Sequence, residues 1–419
     1  MARKFTTPRG TVDILPEEQP YWRQVLRVAE QTALAFGYRR IDTPVFEQAD
    51  LFVHGTGEAT DIVQREMYIF QDRSGEMLAL RPEGTPNVCR AYLQHGMASR
   101  PQPVKLYYVA PAFRYERPQA GRLRQHTQFG CEAIGSSDPA LDAEAIELLW
   151  RMYEALGLDD LYVLLNSIGD QSCRPAYVAR LRVYYELHLA EVCDDCRRRY
   201  DQNPLRLLDC KNGQCQPVIA GAPAITDALC EPCAAHFASV QAYLDAAGVA
   251  WQLTPRLVRG LDYYTRTVFE IVPADAGSQG TIGSGGRYDG LMEVLGGPPT
   301  PGIGFATGIE RIILNLRKRV VEVGPDPLLR VVVAAVGEGP RVAAVALVSR
   351  LRRAGVQAVV GDGTRSLKAQ LRQAEGLAPQ YVVIVGDEEL RRGRLQVRER
   401  ATWNEERLTE GELLARLSD

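Results

Sequence analysis

The stretch Tyr107–Gly135, YYVAPAFRYERPQAGRLRQHTQFGCEAIG, limits the possible folds of this chain more than any other. Two runs with strand-like alternation flank Pro118-Gln119-Ala120-Gly121, so the segment reads as a long antiparallel hairpin with that turn-rich tetrapeptide at its tip. A side-chain period of two puts Arg114 and Glu116 on one face of the first arm, with Phe113 and Tyr115 on the other. On the second arm His126, Gln128, Gly130 and Glu132 share a face. If the two polar faces coincide, one sheet surface carries a guanidinium, two carboxylates and an amide, with Arg117, Arg122 and Arg124 around the loop. A planar guanidinium pairs with phosphate oxygens in a bidentate way, so this surface suits a small charged molecule that bears phosphates. A solvated hairpin with ion-paired strands is the plainer reading of an isolated FRxE. The concentration of FRYERP, QFGCE and the loop arginines in one segment favours the binding surface.

Upstream, Trp22, Val25, Leu26, Ala29 and Ala33 fall at helical spacing between Pro20 and Gly37, and Gly37 ends the helix. RRIDTPVFEQADLF then reads as a strand, with Pro44 at an edge or bulge. Residues 67–71 and 77–81 read as strands joined by Asp72-Arg73-Ser74-Gly75. RPEGT follows, with Glu83 and Thr85 at a strand-to-helix junction, where they either bind an ammonium group or only cap the helix. Beyond the hairpin, 139–156 is a helix and 161–166 a buried strand. LVRGLDYYTRTVFEIV places Arg259, Asp262, Tyr263 and Tyr264 just before a strand; GSGGRYDGL is a glycine-rich turn bearing Arg287 and Tyr288. PGIGFATGIERIIL runs from a strand into a helix near Gly308, with Arg311 in its first turn.

From Ile168 to about Val249 the chain becomes helical and holds most of its nine cysteines. An odd number of cysteines behind an N-terminus, MARKFTTPRG, that lacks the apolar core of a signal peptide argues against a disulfide framework. Cys193-x2-Cys196, Cys210-x4-Cys215 and Cys230-x2-Cys233 have zinc-ligand spacing. Cys193, Cys196, Cys230 and Cys233 would suffice for one tetrahedral site, although six thiols exceed it; reduced or partly paired thiols are the other reading.

After a proline-containing linker, strands and helices alternate from Leu329, which indicates an α/β domain. Its Arg365, Lys368 and Arg372 share a helix face that is either phosphate-facing or simply solvated. The 419 residues, 46% of them apolar, suffice for two or three domains, and a net charge of -3 means that any RNA site must be a local basic patch. No run approaches the roughly 18 apolar residues of a membrane span, so a cytoplasmic location is expected.

The hairpin resembles motif 2 of class II aminoacyl-tRNA synthetases, in the histidyl-tRNA synthetase version. RPEGT matches that family's amino-acid-binding tract, RGLDYYTRTVFE and GSGGRYDGL resemble its two signatures, and PGIGFATGIERIIL matches motif 3. The helix and strand over 20–52 resemble motif 1, which implies a homodimer; His54 departs from the arginine that many members carry.

The resemblance implies an α+β catalytic domain, an antiparallel sheet flanked by helices, over 1–325. A helical insertion over about 168–249 and a C-terminal α/β anticodon-binding domain over 326–419 complete it. It implies a histidine-tRNA ligase that uses L-histidine, ATP with Mg2+, and histidine tRNA. By the same resemblance Arg114 and Arg259 serve the α-phosphate, Arg311 the γ-phosphate, and Glu116 the adenine or a magnesium ion. Glu83, Thr85 and Gln128 would hold the amino group of histidine, Glu132 and Tyr264 its imidazole beside Tyr263, and Arg122 or Arg124 the 5' end of the tRNA. Leaving a buried Glu132 unpaired would reject other amino acids by a factor on the order of 10⁴, so no editing domain is expected. The rival readings are a non-catalytic paralogue that regulates ATP phosphoribosyltransferase, which typically loses the RGLDYY tract and the anticodon domain, and a class II synthetase for another amino acid.

Overall fold

A computed structural model describes residues 4–58, 60–117, 122–274, 280–323 and 329–418. The chain divides into two compact units, Met1–Val323 and Gly324–Asp419. In the first unit eight strands form one sheet, in the order Arg39–Arg40, Val104–Phe113, Gln125–Ile134, Gly302–Gly308, Gly283–Arg287, Thr265–Pro273, Leu161–Ser167 and Trp251–Leu253. The six inner strands pair antiparallel, as expected, but both short edge strands pair parallel to their neighbours. Each edge strand is separated in sequence from its partner by a long crossover, and a crossover permits the parallel direction that a tight hairpin forbids.

The hairpin runs in register from Val104 opposite Ile134 to Phe113 opposite Gln125. Its expected tip, Pro118–Gly121, lies outside the described residues. The first arm ends sooner than its alternation predicts. Arg114 still donates its amide to the Arg124 carbonyl at 2.9 Å, but Tyr115 turns its own amide to Glu66 at 2.7 Å, so Arg114 and Glu116 leave the ladder. Along the paired part, Tyr107, Phe129, Cys131 and Ala133 enter the main core, while Leu106, Tyr108 and Ala110 enter a second cluster on the opposite face. The main core is closed by the helices Gln19–Ala35, Pro139–Ala155, Glu231–Ala246 and Ile309–Lys318, through side chains such as Val25, Leu148, Val240 and Ile312. The opposite face is only partly covered, by the helix Thr85–Gln94 and residues around Met292.

Three local expectations are corrected. Residues 39–52 are not one strand: they form Arg39–Arg40, then Phe46–Gln48, then the helix Ala49–Thr56. Pro44 has no amide for a ladder, its carbonyl accepts from Arg81 at 3.2 Å, and Ala49 and Phe52 bury one turn of helix instead. GSGGRYDGL is an inner strand, Gly283–Arg287, rather than a turn. Its glycines serve close strand approach, since a Cβ on Gly285 would lie 2.2 Å from the Gly304 carbonyl oxygen. The insertion is also shorter than its composition suggests. Residues from Ile168 to Leu229 share a core with Val258, Tyr264 and Val268, whereas the helix Glu231–Ala246 presents Phe237, Val240 and Leu244 to the main core.

The second unit has a five-stranded sheet, in the order Ala358–Val360, Val331–Ala335, Tyr381–Val385, Leu395–Glu399 and Glu405–Leu408. Its first three strands are parallel and the last two antiparallel. The strand Glu405–Leu408 and the helix Asp387–Arg392 lack the apolar periodicity that would reveal them in sequence.

Candidate active site

The uncovered part of the sheet's second face is a cavity of about 840 Å³. Arg114, Arg259 and Arg311, far apart in sequence, all line it, as do Glu83, Thr85, Glu116, Arg122, Gln128, Tyr263 and Tyr264. Strand register explains why these side chains converge. Gly130, Ala306, Ser284 and Glu270 lie side by side across four strands, and the next inward row contains Glu132 beside Gly304.

Each arginine is held by a neighbouring oxygen. Arg259 arches over the sheet to pair with the Glu270 carboxylate and to donate to the Ser284 hydroxyl at 2.6 Å. Burial pulls its guanidinium pKa down, but Glu270 together with Tyr264, Asp209 and Tyr263 holds it above the ordinary value. The Nε of Arg259 is buried and has no partner. Arg114 donates Nε to the Pro82 carbonyl at 2.9 Å, and Arg311 donates Nη1 to the Thr281 carbonyl at 2.6 Å. His126 also lines the cavity; its pKa is lowered to about 3 by burial and by Arg114 and Arg311, so its imidazole is neutral.

Beside the cationic end are two buried carboxylates. Glu83 accepts from Thr56 at 2.9 Å and from Tyr263 at 2.8 Å, and burial raises its pKa against the pull of Arg114. Gln128 is also buried, with its carbonyl oxygen unpartnered. Glu132 sits one layer deeper and does not line the cavity; its oxygens accept from Thr85 at 2.7 Å and Tyr288 at 2.6 Å. Its carboxylate fits only because residue 304 is glycine: a Cβ there would lie 1.8 Å from Glu132 Oε2. Burial pushes the Glu132 pKa up to about 8, in spite of these two donors. Tyr264 is buried, its phenol pushed up to about 12 mainly by burial, and its ring lies 4.6 Å from that of Tyr263.

Of the remaining expected residues, only Arg122 lines the cavity. Arg122 pairs with Glu116 at 3.4 Å, and Arg124 stacks 3.7 Å from the Tyr115 ring rather than lining the cavity. In the second unit, Arg365 pairs with Asp362 at 3.1 Å, while Lys368 and Arg372 are exposed on one helix. The expected quartet Cys193, Cys196, Cys230 and Cys233 does not assemble. The first pair meets Cys210 and Cys215, and the second meets Asp170 and Cys173. The physical reason is that Cys230 and Cys233 begin the helix that packs into the main core, whereas Cys193 and Cys196 stay with the insertion.

Several lining groups escape a sequence reading. Arg206, Asp209, Lys211 and Arg256 come from the insertion and its return, where no motif marks them. Tyr288 and Arg287 stand in a recognised signature, but neither points to a phosphate. Tyr288 orients Glu132, and Arg287 is fully buried against Asp142.

A mixed sheet, antiparallel in its six inner strands, with helices behind it, three arginines from three separate segments over its open face, and a second unit with its own sheet define a class II aminoacyl-tRNA synthetase. Residues 10–169 and 213–312 match the model of the family "Histidyl-tRNA synthetase", and residues 330–419 match "Anticodon binding domain". The histidine--tRNA ligase of Dehalococcoides mccartyi is 55% identical over 93% of this chain and 93% of its own length. That of Desulforamulus reducens is 48% identical over 98% of both. The crystal structure of apo S. aureus histidyl-tRNA synthetase superposes with a TM-score of 0.83 at 36% identity, covering 99% of this chain and 100% of that one. The chain belongs to the histidyl-tRNA synthetase family.

Proposed function

We propose that the cavity activates histidine through charge stabilisation by Arg114, Arg259 and Arg311, with no protein base in the first step. The chain is a histidine-tRNA ligase, so its first step joins histidine to the adenylyl group of ATP. The histidine carboxylate is ionised at neutral pH and attacks the α-phosphorus of ATP directly. The bond to the β,γ-pyrophosphate breaks, and charge builds on the α-phosphoryl oxygens and the leaving group. Arg114 and Arg259 neutralise the former, and Arg311 the γ-phosphate end. The observation that carries this reading is the convergence of the three guanidiniums on one cavity. In the second step the 3'-hydroxyl of the tRNA takes the histidyl group and AMP leaves.

For histidine, Glu83, Thr85 and Gln128 hold the ammonium group, with Tyr263 orienting Glu83. Tyr264 takes one imidazole nitrogen at the cavity lining, and Glu132, one layer beneath that lining, takes the other; each Glu132 oxygen receives one hydroxyl and keeps a lone pair for a ring N–H. A magnesium ion prefers oxygen ligands, and Glu116 offers one at the cavity edge, where it would otherwise meet the adenine; the ion would neutralise phosphate charge.

Residues 1–325 are assigned the chemistry and 326–419 the anticodon, with Arg365, Lys368 and Arg372 on the tRNA backbone and Arg122 or Arg124 near its 5' end. A homodimer and a cytoplasmic location complete the proposal; no described helix is long and apolar enough to cross a membrane. ATP–pyrophosphate exchange with each amino acid in turn tests it: exchange with histidine alone is expected, and exchange with another amino acid, or with none, overturns it.

A further inference from the structure

We infer that Cys193, Cys196, Cys210 and Cys215 hold a zinc ion that fastens the insertion to the wall of the active cavity. The four Sγ atoms all lie within 4.8 Å of one another, with Cys193–Cys210 and Cys196–Cys215 each at 3.8 Å. A tetrahedron with zinc–sulfur bonds of about 2.3 Å has sulfur–sulfur edges of about 3.8 Å. A disulfide would need about 2.05 Å.

Two backbone amides are aimed at the sulfurs. The Cys193 amide donates to Cys215 Sγ at 3.2 Å, and the Asn212 amide donates to Cys210 Sγ at 3.4 Å. Amide donors of this kind stabilise negative charge on sulfur and orient metal ligands. Cys193 immediately precedes the helix Asp194–Gln202, which brings Cys196 round one turn; Cys215 precedes the helix Gln216–Gly221. Cys196, Cys210 and Cys215 are buried in the insertion's own core. Asp170, Cys173, Cys230 and Cys233 also cluster, but Asp170 is already committed to Arg266 at 3.2 Å and to the Ser172 amide at 2.9 Å. Its thiols read as hydrogen-bonded around a carboxylate, so that cluster serves as an internal control.

The ion would fix the segment 203–211, which reaches the catalytic residues from several sides. Asn203 donates to Asp262 at 3.0 Å, Arg206 pairs with Asp61 at 3.0 Å and donates to the Arg259 carbonyl at 3.4 Å. Asp209 and Lys211, on either side of the ligand Cys210, both line the cavity. This consequence rests on the cavity being the active site; the metal site itself does not.

The test is zinc content of the full-length chain, expressed with zinc and purified without chelator. Cys210→Ser should carry about one equivalent less than the parent, and Cys230→Ser should match the parent. A parent without zinc, or loss on Cys230→Ser but not on Cys210→Ser, overturns the inference. A second measurement does not depend on a variant that folds: cobalt(II) exchanged into the unaltered chain should give the intense visible bands and near-ultraviolet sulfur-to-metal charge transfer of a tetrahedral tetrathiolate. Cobalt that binds with only weak octahedral absorption also overturns it.

Discussion

Replacing Tyr288 by phenylalanine probes the proposed histidine pocket without opening a void. The hydroxyl donates to Glu132 at 2.6 Å, and Glu132 has no solvent exposure. Removing one donor from a buried carboxylate costs on the order of 1.5–3 kcal/mol, roughly 10- to 150-fold in an equilibrium constant. Phenylalanine keeps the ring, which packs edge-on 6.0 Å from Tyr263. The KM for histidine in pyrophosphate exchange should rise by that factor of roughly 10 to 150, while the KM for ATP, bound at the arginines, changes less than about twofold.

The same substitution should move a pH profile. Burial raises the Glu132 pKa to about 8, against the hydrogen bonds of Tyr288 and Thr85, so the empty pocket is largely protonated at neutral pH. A ring N–H of neutral histidine favours the ionised carboxylate, so binding releases a proton whenever the pH is below that pKa. Affinity should climb toward about 8 and then level off. In Tyr288→Phe a supporting donor is gone, Glu132 shifts further up, and the plateau begins at higher pH. Exchange at saturating ATP, with histidine varied from about pH 6.5 to 9 for both proteins, measures both effects. An equal rise in both KM values, or a histidine profile flat below 8, would refute the reasoning.

Gly304→Ala should abolish histidine binding measured by calorimetry, because its Cβ would lie 1.8 Å from Glu132 Oε2 and 2.6 Å from the Cys131 carbonyl, so the carboxylate must be displaced; near-normal affinity would contradict the packing. Asp142→Asn should lower stability by about 3 kcal/mol in denaturant melts, since it leaves the fully buried Arg287 with Asp289, at 3.0 Å, as its remaining anion. Burial pushes the Asp142 pKa up, but His236 and Arg287 hold it below the ordinary value, so its stabilisation is present above the unfolded pKa and lost as pH falls through the lowered one; the parent's greater stability should shrink in acid. Ending the chain after Val323, where the first unit closes, should spare pyrophosphate exchange and reduce aminoacylation of histidine tRNA; parallel loss of both would make the second unit structural.

Much of the site was legible because its carriers are short, dense motifs. FRYERP, RPEGT, RGLDYY and GIERIIL each placed an arginine or a carboxylate that lines the cavity, and the period of two along Gln125–Ile134 set Gln128 and Glu132 on one face. Sequence could not reveal how deep each group would sit. Glu132 and Gln128 share a face, yet only Gln128 reaches the cavity, because Thr85 and Gly304 bring their own helix and strand up to Glu132. The glycine run at 283–286 suggested a turn, since nothing local shows that another backbone lies 2.2 Å from a hypothetical side chain. The cysteine spacings singled out the cysteines but not which of them meet, which depends on whether the helix Glu231–Ala246 follows the insertion or the main core.

The central claim is that catalysis of the first step comes from arginines that share one cavity, and Arg259→Ala measures it most directly. Single-turnover formation of histidyl-adenylate should slow by a factor on the order of 10² to 10³, the cost of losing one preorganised donor at the developing charge. Histidine binding without ATP, followed by calorimetry, should stay near the parent value. Adenylate formed at close to the parent rate would contradict the account.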